Sequence, residues 1–274
     1  MDSSKTKTGM QELKERLQAT WMAGDFGKIA TTFAAGAAEF VEGLNFLPGS
    51  QVLDIASGTG NQSIPAARLG ASVTGVDIAP NLIEQAKANA GRENLRIKFE
   101  VADAEALPFA DASFDAVMSM FGIMFTPRPD VVAREMKRVC RPGGLIALAN
   151  WTPEGFIGQM FKATSKYVAA PRGMPSPLLW GVEESVRERL DSGTCGLAMT
   201  RRLIEFVLPD SPAKMVEHFR LYYGPTQKAF AALDAKEQTA LEGDLTDLWS
   251  VHNLATDGTT RVLSEYLQIV AIRT

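Results

Sequence analysis

The 274-residue chain is poor in the side chains that most often build metal centres and disulfides. It contains only two cysteines and two histidines. Cys140 and Cys195 lie far apart and in no metal-type spacing, which favours a reduced, cytoplasmic protein without a metal centre. The histidines, His218 and His252, offer few candidates for a general base, and we take His218 as a weak candidate.

An excess of positive charge and long apolar runs are also missing. The chain has 28 basic and 32 acidic residues, a formal charge of −4, so no strong positive field gathers phosphates and we expect no nucleic-acid partner. No apolar run approaches the roughly 18–20 residues of a membrane helix, and no membrane association is expected. The lysines near the N-terminus precede no apolar stretch, so we expect no signal peptide. The oligomeric state is not readable from these features.

The middle of the chain alternates short apolar runs with helical segments. Runs at 51–55, 72–77, 95–101, 114–120 and 145–151 predict five buried strands. Further strands are predicted at 203–208 and 263–272. This alternation is typical of an α/β fold. We predict a Rossmann-like, mostly parallel seven-stranded sheet with helices on both faces, N-terminal helices and a helical cap.

Four regions follow from this pattern. Residues 1–47 are predicted as N-terminal helices, whose Trp21 and Phe26 are candidates to cover a ligand site. Residues 48–151 form the ligand-binding core, and residues 152–200, punctuated by glycine and proline, form a cap that carries substrate contacts. Residues 201–274 supply the closing strands and helices.

A glycine-rich turn follows the first predicted strand. Gly58 and Gly60 allow the backbone to approach a ligand, and the helix that follows offers unpaired N–H groups. Such a turn binds an anionic group, either a phosphate or a carboxylate. A dinucleotide fingerprint is excluded because Ser63 stands where the third glycine belongs and Asp54 precedes the loop; a Walker A lysine is absent as well.

Two further acids follow the next strands. Asp77 ends the second strand, where a carboxylate can accept two hydrogen bonds from a ribose diol. Asp103 follows the third strand and can accept a hydrogen bond from an exocyclic amine such as adenine N6. Because the carboxyl ends of parallel strands meet at one edge of the sheet, these acids and the glycine loop predict a site for an adenosine joined to a carboxylate-bearing group.

These motifs resemble those of the class I S-adenosylmethionine-dependent methyltransferases, in the style of the small-molecule enzymes of the ubiquinone and sterol type. The resemblance covers residues 25–151 closely. It rests on five motifs in order: the loop from Asp54 to Gly60, Asp77, Asp103, Phe114-Asp115, and the turn at 141–144. One departure is Ala56, where the family usually has glycine.

The resemblance implies a role for each site residue. Ala56, Ser57, Gly58 and Gly60 would cradle the methionine moiety, and Asp54 would reach its amino group directly or through water. Around the adenosine, the implied contacts are Asp77 with the ribose, Ile78 with the adenine face, and Asp103 and Ala104 with the adenine edge. Ser119 and Met120 would border the methyl group, with Trp21 covering the cofactor. The cofactor would be S-adenosyl-L-methionine and the product S-adenosyl-L-homocysteine.

The expected reaction is an in-line methyl transfer to a small, partly apolar metabolite in a desolvated pocket, by positioning rather than covalent catalysis. The segment 119–122 lacks the Asp/Asn-Pro-Pro-Tyr/Phe sequence of enzymes that methylate exocyclic base amines, which argues against nucleic-acid substrates. Two alternatives stay open at this point. One is a non-catalytic nucleoside-binding or interaction protein, and the other is an aminopropyl-type alkyl transfer.

Overall fold

The architecture is that of one twisted seven-stranded sheet covered by helices. A computed structural model describes residues 3–274, with side chains described from residue 9 onward. The strands are β1 (Gln51–Ile55), β2 (Ser72–Asp77), β3 (Lys98–Val101), β4 (Phe114–Met120), β5 (Cys140–Trp151), β6 (Thr194–Leu208) and β7 (Thr260–Arg273). Their order in the sheet is β3-β2-β1-β4-β5-β7-β6. The five strands from β3 to β5 run parallel, and β7 is antiparallel to both of its neighbours.

Helices connect the strands and cover the sheet. They are α1 (Ser3–Trp21), α2 (Phe26–Ala30), α3 (Ala34–Glu42), α4 (Ser63–Arg68), α5 (Pro80–Arg92), α6 (Pro129–Val139), α7 (Phe156–Ser165), α8 (Glu183–Leu190), α9 (Pro212–Tyr222), α10 (Gly224–Ala231) and α11 (Ala235–His252). Short 3₁₀ turns lie at Thr31–Phe33, Ile123–Phe125 and Pro177–Gly181. The predicted Rossmann-like fold class is confirmed.

The order of the strands determines where the sheet can bind a ligand. The chain starts in the middle with β1, moves outward to β2 and β3, and then crosses back to β4 on the other side of β1. This reversal leaves a crevice beyond the carboxyl ends of β1 and β4, which is the general ligand position in open α/β sheets. The parallel strands are buried on both faces and therefore read as continuous apolar sequence.

The structure divides the N-terminal helical region at Gly24, where the helical pattern of apolar residues continues without a break. Gly24 has a φ of +71°, and the Asp25 carboxylate caps α2 by accepting a hydrogen bond from the Gly27 N–H at 3.1 Å. A Cβ on Gly24 would lie 2.4 Å from the Tyr222 carbonyl oxygen, so glycine is required for the close approach of α9. This break separates α1 from α2 and lets α1 lie across the ligand edge of the sheet.

The strands at the antiparallel side are longer than predicted. Strand β6 starts at Thr194, inside the segment 152–200 that the sequence assigns to the cap. The prediction misses its first residues because a register shift between Cys195 and Ala198 hides their alternation. Strand β5 likewise starts at Cys140 rather than at Leu145. Within residues 3–274, no helix has both the length and the apolarity needed to cross a membrane.

Candidate active site

A cavity opens at the carboxyl ends of the parallel strands. It encloses about 1210 Å³ of space, counted out to its open mouth. Of the side chains that the structure describes, from residue 9 onward, the charged ones in its lining are Lys14, Asp77 and Asp103. All three lie on the side of β2 and β3, and the cavity wall becomes apolar toward β4 and β5. The cavity therefore has a polar side and an apolar side, joined at the loops after β1 and β4.

The loop after β1 forms the middle of the cavity wall. Ala56, Gly58 and Gly60 have φ values of +58°, +53° and +89°, so the backbone turns through left-handed conformations. The Ser57 N–H donates to the Val76 carbonyl oxygen at 2.9 Å, which ties the loop to β2. Ser57 also leaves its buried hydroxyl without a hydrogen-bond partner among the described residues. The loop thus holds a buried hydroxyl whose hydrogen-bonding capacity the described residues leave unused.

Ala56 occupies a left-handed position that glycine tolerates better, and the structure makes room for its methyl group. Gly122, in the turn after β4, faces it directly: a Cβ on Gly122 would lie 2.4 Å from the Ala56 Cβ and 2.9 Å from its carbonyl oxygen. Contacts of 2.4 Å do not occur between real carbon atoms. The departure from the family sequence at residue 56 is therefore matched by glycine at residue 122.

Asp54 lies behind the loop instead of lining the cavity. Its side chain is fully buried, and one oxygen accepts a hydrogen bond from the Ser63 hydroxyl at 2.6 Å. The other oxygen has no partner among the described residues. Burial raises the pKa of Asp54 to about 7, against the lowering effect of the Ser63 hydrogen bond. Any ligand contact of Asp54 must therefore pass through the loop or through water.

Asp77 both holds the loop and lines the cavity. Its two carboxylate oxygens accept hydrogen bonds from the backbone N–H groups of Gly58 and Ala79, each at 2.9 Å. Burial raises its pKa, and these backbone hydrogen bonds oppose the rise. An ionised carboxylate offers about four acceptor positions in total, so Asp77 keeps acceptor capacity for a ligand hydroxyl.

Asp103 lies at the outer end of the polar side, where α1 crosses it. The Lys14 ammonium bridges the carboxylates of Asp103 and Glu105, at 2.5 Å from each. The Glu105 side chain is fully buried and also pairs with the Arg128 guanidinium at 2.7 Å. On the same face of α1, the Gln18 amide donates to the Ile78 carbonyl oxygen at 2.7 Å. These polar contacts fasten α1 across the site.

The apolar side is built mainly from aromatic rings and carries no charged side chain. Phe121 has a φ of +62° and stacks face to face on Trp151, with ring centroids 3.5 Å apart. The rings of Trp21, Phe125 and Tyr223 pack edge to face around the opposite wall. The remaining apolar lining comes from α2, the 3₁₀ turn after it, α7, β6 and α9: Phe26, Ile29, Phe33, Ile157, Met160, Phe206 and Phe219.

Tyr223 brings a hydroxyl group into this apolar wall. Neither a donor nor an acceptor within the described residues pairs with that hydroxyl. Burial raises the pKa of Tyr223 well above its ordinary range. A tyrosine phenol is protonated near neutral pH even at its ordinary pKa, so this hydroxyl can donate a hydrogen bond to a ligand.

The predicted site residues divide into two sets. Nine of the twelve proposed for the cofactor line the one cavity: Trp21, Ala56, Ser57, Gly58, Asp77, Ile78, Asp103, Ala104 and Met120. Asp54, Gly60 and Ser119 lie behind its wall. The Ser119 hydroxyl donates to the Ile55 carbonyl oxygen at 2.6 Å, so it joins β4 to β1 instead of facing a ligand.

His218 does not lie in the cavity, and the structure corrects its candidacy as the base. It sits on α9, where one ring nitrogen lies 3.1 Å from the Lys28 carbonyl oxygen and the ring packs against Tyr222. Helical periodicity explains why His218 lies outside the cavity, since the next residue, Phe219, is the one that faces it.

Sequence reasoning missed several lining residues. Lys14 could have been found, because Lys14, Leu17, Gln18 and Trp21 share one helical face at spacings of three and four. Phe33, Phe121 and Phe206 could not, because they come from three distant segments that only the tertiary fold brings together. Of the apolar side chains at residues 151–180, Trp151, Ile157 and Met160 line the cavity, whereas Phe156, Phe161 and Trp180 are not part of its lining.

Comparison with known proteins agrees with this geometry. Residues 53–148 match the family described as "Methyltransferase domain". The chain is 38% identical over 236 residues to the uncharacterized protein Rv1405c of Mycobacterium tuberculosis, covering 85% of this chain and 86% of that protein. The chain belongs to the class I S-adenosylmethionine-dependent methyltransferases.

Two further proteins resemble this methyltransferase, one in part of its sequence and one in its fold. It is 39% identical over 116 residues to the demethylmenaquinone methyltransferase of Renibacterium salmoninarum, covering 42% of this chain and 47% of that enzyme. The crystal structure of a putative methyltransferase from Bacillus halodurans has the same fold, with a TM-score of 0.59 and 17% identity, covering 87% of this chain and 98% of that one. The sequence likeness to the menaquinone enzyme covers less than half of each chain, whereas the fold is shared over nearly all of the Bacillus chain.

Proposed function

We propose that this methyltransferase binds S-adenosylmethionine along the polar side of the cavity and methylates a small, partly apolar acceptor on the apolar side. The division of charge within one cavity carries this proposal. Every charged lining side chain lies near β2 and β3, and none lies beyond β4. An adenosine with its amino acid requires polar partners, and a second, apolar ligand fits the remaining space.

The residues of the polar side suit that cofactor. Asp77 keeps acceptor capacity for a ribose diol, and Asp103 for an exocyclic amine. Ile78 and Leu82 supply apolar surface between them. Among the described residues, two buried side-chain oxygens near the loop have no hydrogen-bond partner, one on Asp54 and the hydroxyl of Ser57. Because Asp54 lies behind the loop, we propose that it reaches the ammonium of the cofactor through water. The cofactor, when bound, supplies a methyl group already activated on a sulfonium.

The protein's task is then to orient the acceptor and to exclude water. The stacked Phe121 and Trp151 form a rigid apolar wall, and α1 closes the cavity above the polar side. A dry cavity favours a reaction in which charge is lost, because no hydration shell has to be removed during the step. Within the described part of the chain, the apolar side is lined by no histidine and no carboxylate. We therefore propose that the acceptor arrives as a nucleophile and that the protein supplies no general base.

Tyr223 is proposed to orient the acceptor. Its hydroxyl has no partner among residues 9–274, and a phenol is a hydrogen-bond donor near neutral pH. A polyamine acceptor for aminopropyl transfer receives no support, because such a ligand requires carboxylates where this cavity is apolar.

Two measurements test the proposal. Calorimetric titration with S-adenosylmethionine should give one site per chain, and absence of heat at millimolar cofactor would remove the proposal. Release of S-adenosylhomocysteine is then measured over a panel of aromatic phenols, thiols, amines and carboxylates, each paired with a more highly charged analogue. The apolar member of each pair should react faster.

A pair of neighbouring tyrosines provides a matched control. Tyr223→Phe should lower kcat/KM about tenfold, the effect of losing one hydrogen bond worth about 1.4 kcal/mol. Tyr222→Phe removes a hydroxyl outside the cavity and should leave kcat/KM unchanged. Equal effects of both substitutions would show that Tyr223 does not contact the acceptor.

A further inference from the structure

The two edges of the sheet differ in their protection from other chains. The edge strand β3 has only four residues, and its Lys98 and Glu100 carry charges. At the other edge, β6 is fifteen residues long and contains no proline. Its only sheet neighbour is β7. Within the described residues, no backbone hydrogen bond apart from those to β7 involves residues 196–208. A long open edge of this kind is a template for pairing with another strand.

The two faces of β6 are unequal. Ile204 and Phe206 point inward and are buried, and Phe206 lines the active-site cavity. The alternate residues point outward, with Leu203 61% and Val207 50% exposed. Exposed aliphatic side chains on a strand edge indicate a surface that is covered when a partner strand is added.

The outward residues of β6 form a self-complementary sequence. Arg201, Leu203, Glu205 and Val207 read basic, apolar, acidic, apolar. When the strand is laid antiparallel to a second copy of itself with Leu203 opposite Leu203, each Arg201 faces the Glu205 of the other copy. In antiparallel pairs, opposite residues lie on the same face and their side chains touch.

Neighbouring registers lose this match. A slip of two residues sets Arg201 opposite Leu203 or Leu203 opposite Glu205, and a slip of four in one direction sets Arg201 opposite itself. Like charges directly opposite each other are destabilising. The pattern therefore specifies one register, and a two-fold axis through Leu203 generates it, as a symmetric homodimer requires.

We propose that the β6 edge is a homodimer interface, in which two copies of this chain pair antiparallel about Leu203 and join their sheets. The partner is a second copy because the charges of the strand complement themselves. This inference does not depend on the proposed acceptor or cofactor, since the outward side chains lie on the face away from the cavity.

The first test is a cross-link at the symmetry axis. Directly opposed Cα atoms in an antiparallel pair are about 4.5–5.5 Å apart, within the range of about 4.4–6.8 Å that a disulfide spans. Leu203→Cys in a Cys195→Ser background should form an intermolecular disulfide on mild oxidation, because Cys140 is buried. Val251→Cys in the same background places an equally accessible thiol on α11, where Val251 is 82% exposed, and should not cross-link at the same rate.

The second test is a charge swap followed by sedimentation velocity. The mass measured for the native protein should be twice the 29.7 kDa of one chain. Arg201→Glu or Glu205→Arg alone should weaken the dimer about tenfold or more, and the double swap should restore it. Within one chain Arg201 pairs with Glu265, and Glu205 pairs with Arg261. The double swap leaves both of those contacts repulsive, so its rescue would not follow from intramolecular effects.

Other results would overturn the proposal. They are a native protein that stays at the mass of one chain at 100 µM, a dimer that ignores both single swaps, or a double swap that fails to restore the dimer while its melting temperature stays at the native value. Methyl transfer by the monomeric variants would leave the proposal intact, because the cavity is complete within one chain.

Discussion

The contact between Ala56 and Gly122 offers a sharp test of how the cavity is built. Gly122→Ala adds one methyl group to the turn after β4. That carbon would begin 2.4 Å from the Ala56 Cβ and 2.9 Å from the Ala56 carbonyl oxygen. Both loops line the cavity, so relief of the clash must move one of them.

The expected cost follows from overpacking. Inserting a methyl group into a tightly packed position costs about 1–3 kcal/mol. The double variant Ala56→Gly/Gly122→Ala removes the shorter contact and leaves the one to the carbonyl oxygen. Glycine also accepts the left-handed conformation at residue 56 without strain. We therefore expect a partial rescue, with a coupling energy of about 1–2 kcal/mol between the two positions.

Thermal unfolding and cofactor titration measure the two consequences. At about 2–4 °C per kcal/mol, Gly122→Ala should lower Tm by several degrees, and the second substitution should recover about half of that loss. The affinity for the cofactor should likewise fall in Gly122→Ala and recover in part in the double variant. Gly91→Ala is the matched control, because nothing lies within 4 Å of a Cβ there and its helix should gain stability. Strictly additive effects of the two substitutions at 56 and 122 would refute the reasoning.

Three further outcomes follow from the polar side of the site. Asp77→Asn should weaken S-adenosylmethionine binding at least about tenfold, because a charge-assisted hydrogen bond of about 1.5–3 kcal/mol is lost. Asp115→Asn, which also removes a carboxylate that accepts a backbone N–H but lies outside the cavity, should leave the affinity unchanged. The folded-state pKa of Asp54, about 7 against 3.8 when unperturbed, means that the folded state holds the proton more tightly. Stability should therefore fall by on the order of 4 kcal/mol as pH rises from 4 to 7 and then level off. In Asp54→Asn, urea denaturation at pH 4.5 and 7.5 should lack that decline, and an unchanged decline would assign it to other groups. Lys14→Met should loosen α1, so that amide hydrogen exchange over residues 9–21 becomes faster, while Lys87→Met, which breaks an exposed pair, should have no such effect.

The sequence by itself determined the core of the sheet and the positions of the acids. Strands β1, β2 and β4 run between the residues that the apolar runs predicted, because parallel strands buried on both faces leave an unmistakable apolar signal. The placement of Asp77 and Asp103 at one edge followed from the same topology, since parallel strands end together. Local sequence is sufficient for these features because each depends on residues adjacent in the chain.

Tertiary structure decided which of those residues face the ligand and what else surrounds it. Asp54 was expected to reach the cofactor directly or through water, and the fold places it behind the loop, outside the cavity lining. The apolar side combines Phe33, Phe121 and Phe206, and the position of α1 depends on the bridge from Lys14 to Asp103. Such contacts join segments up to about 170 residues apart, and no local periodicity encodes them. The chemistry of the acceptor side is therefore a property of the assembled fold.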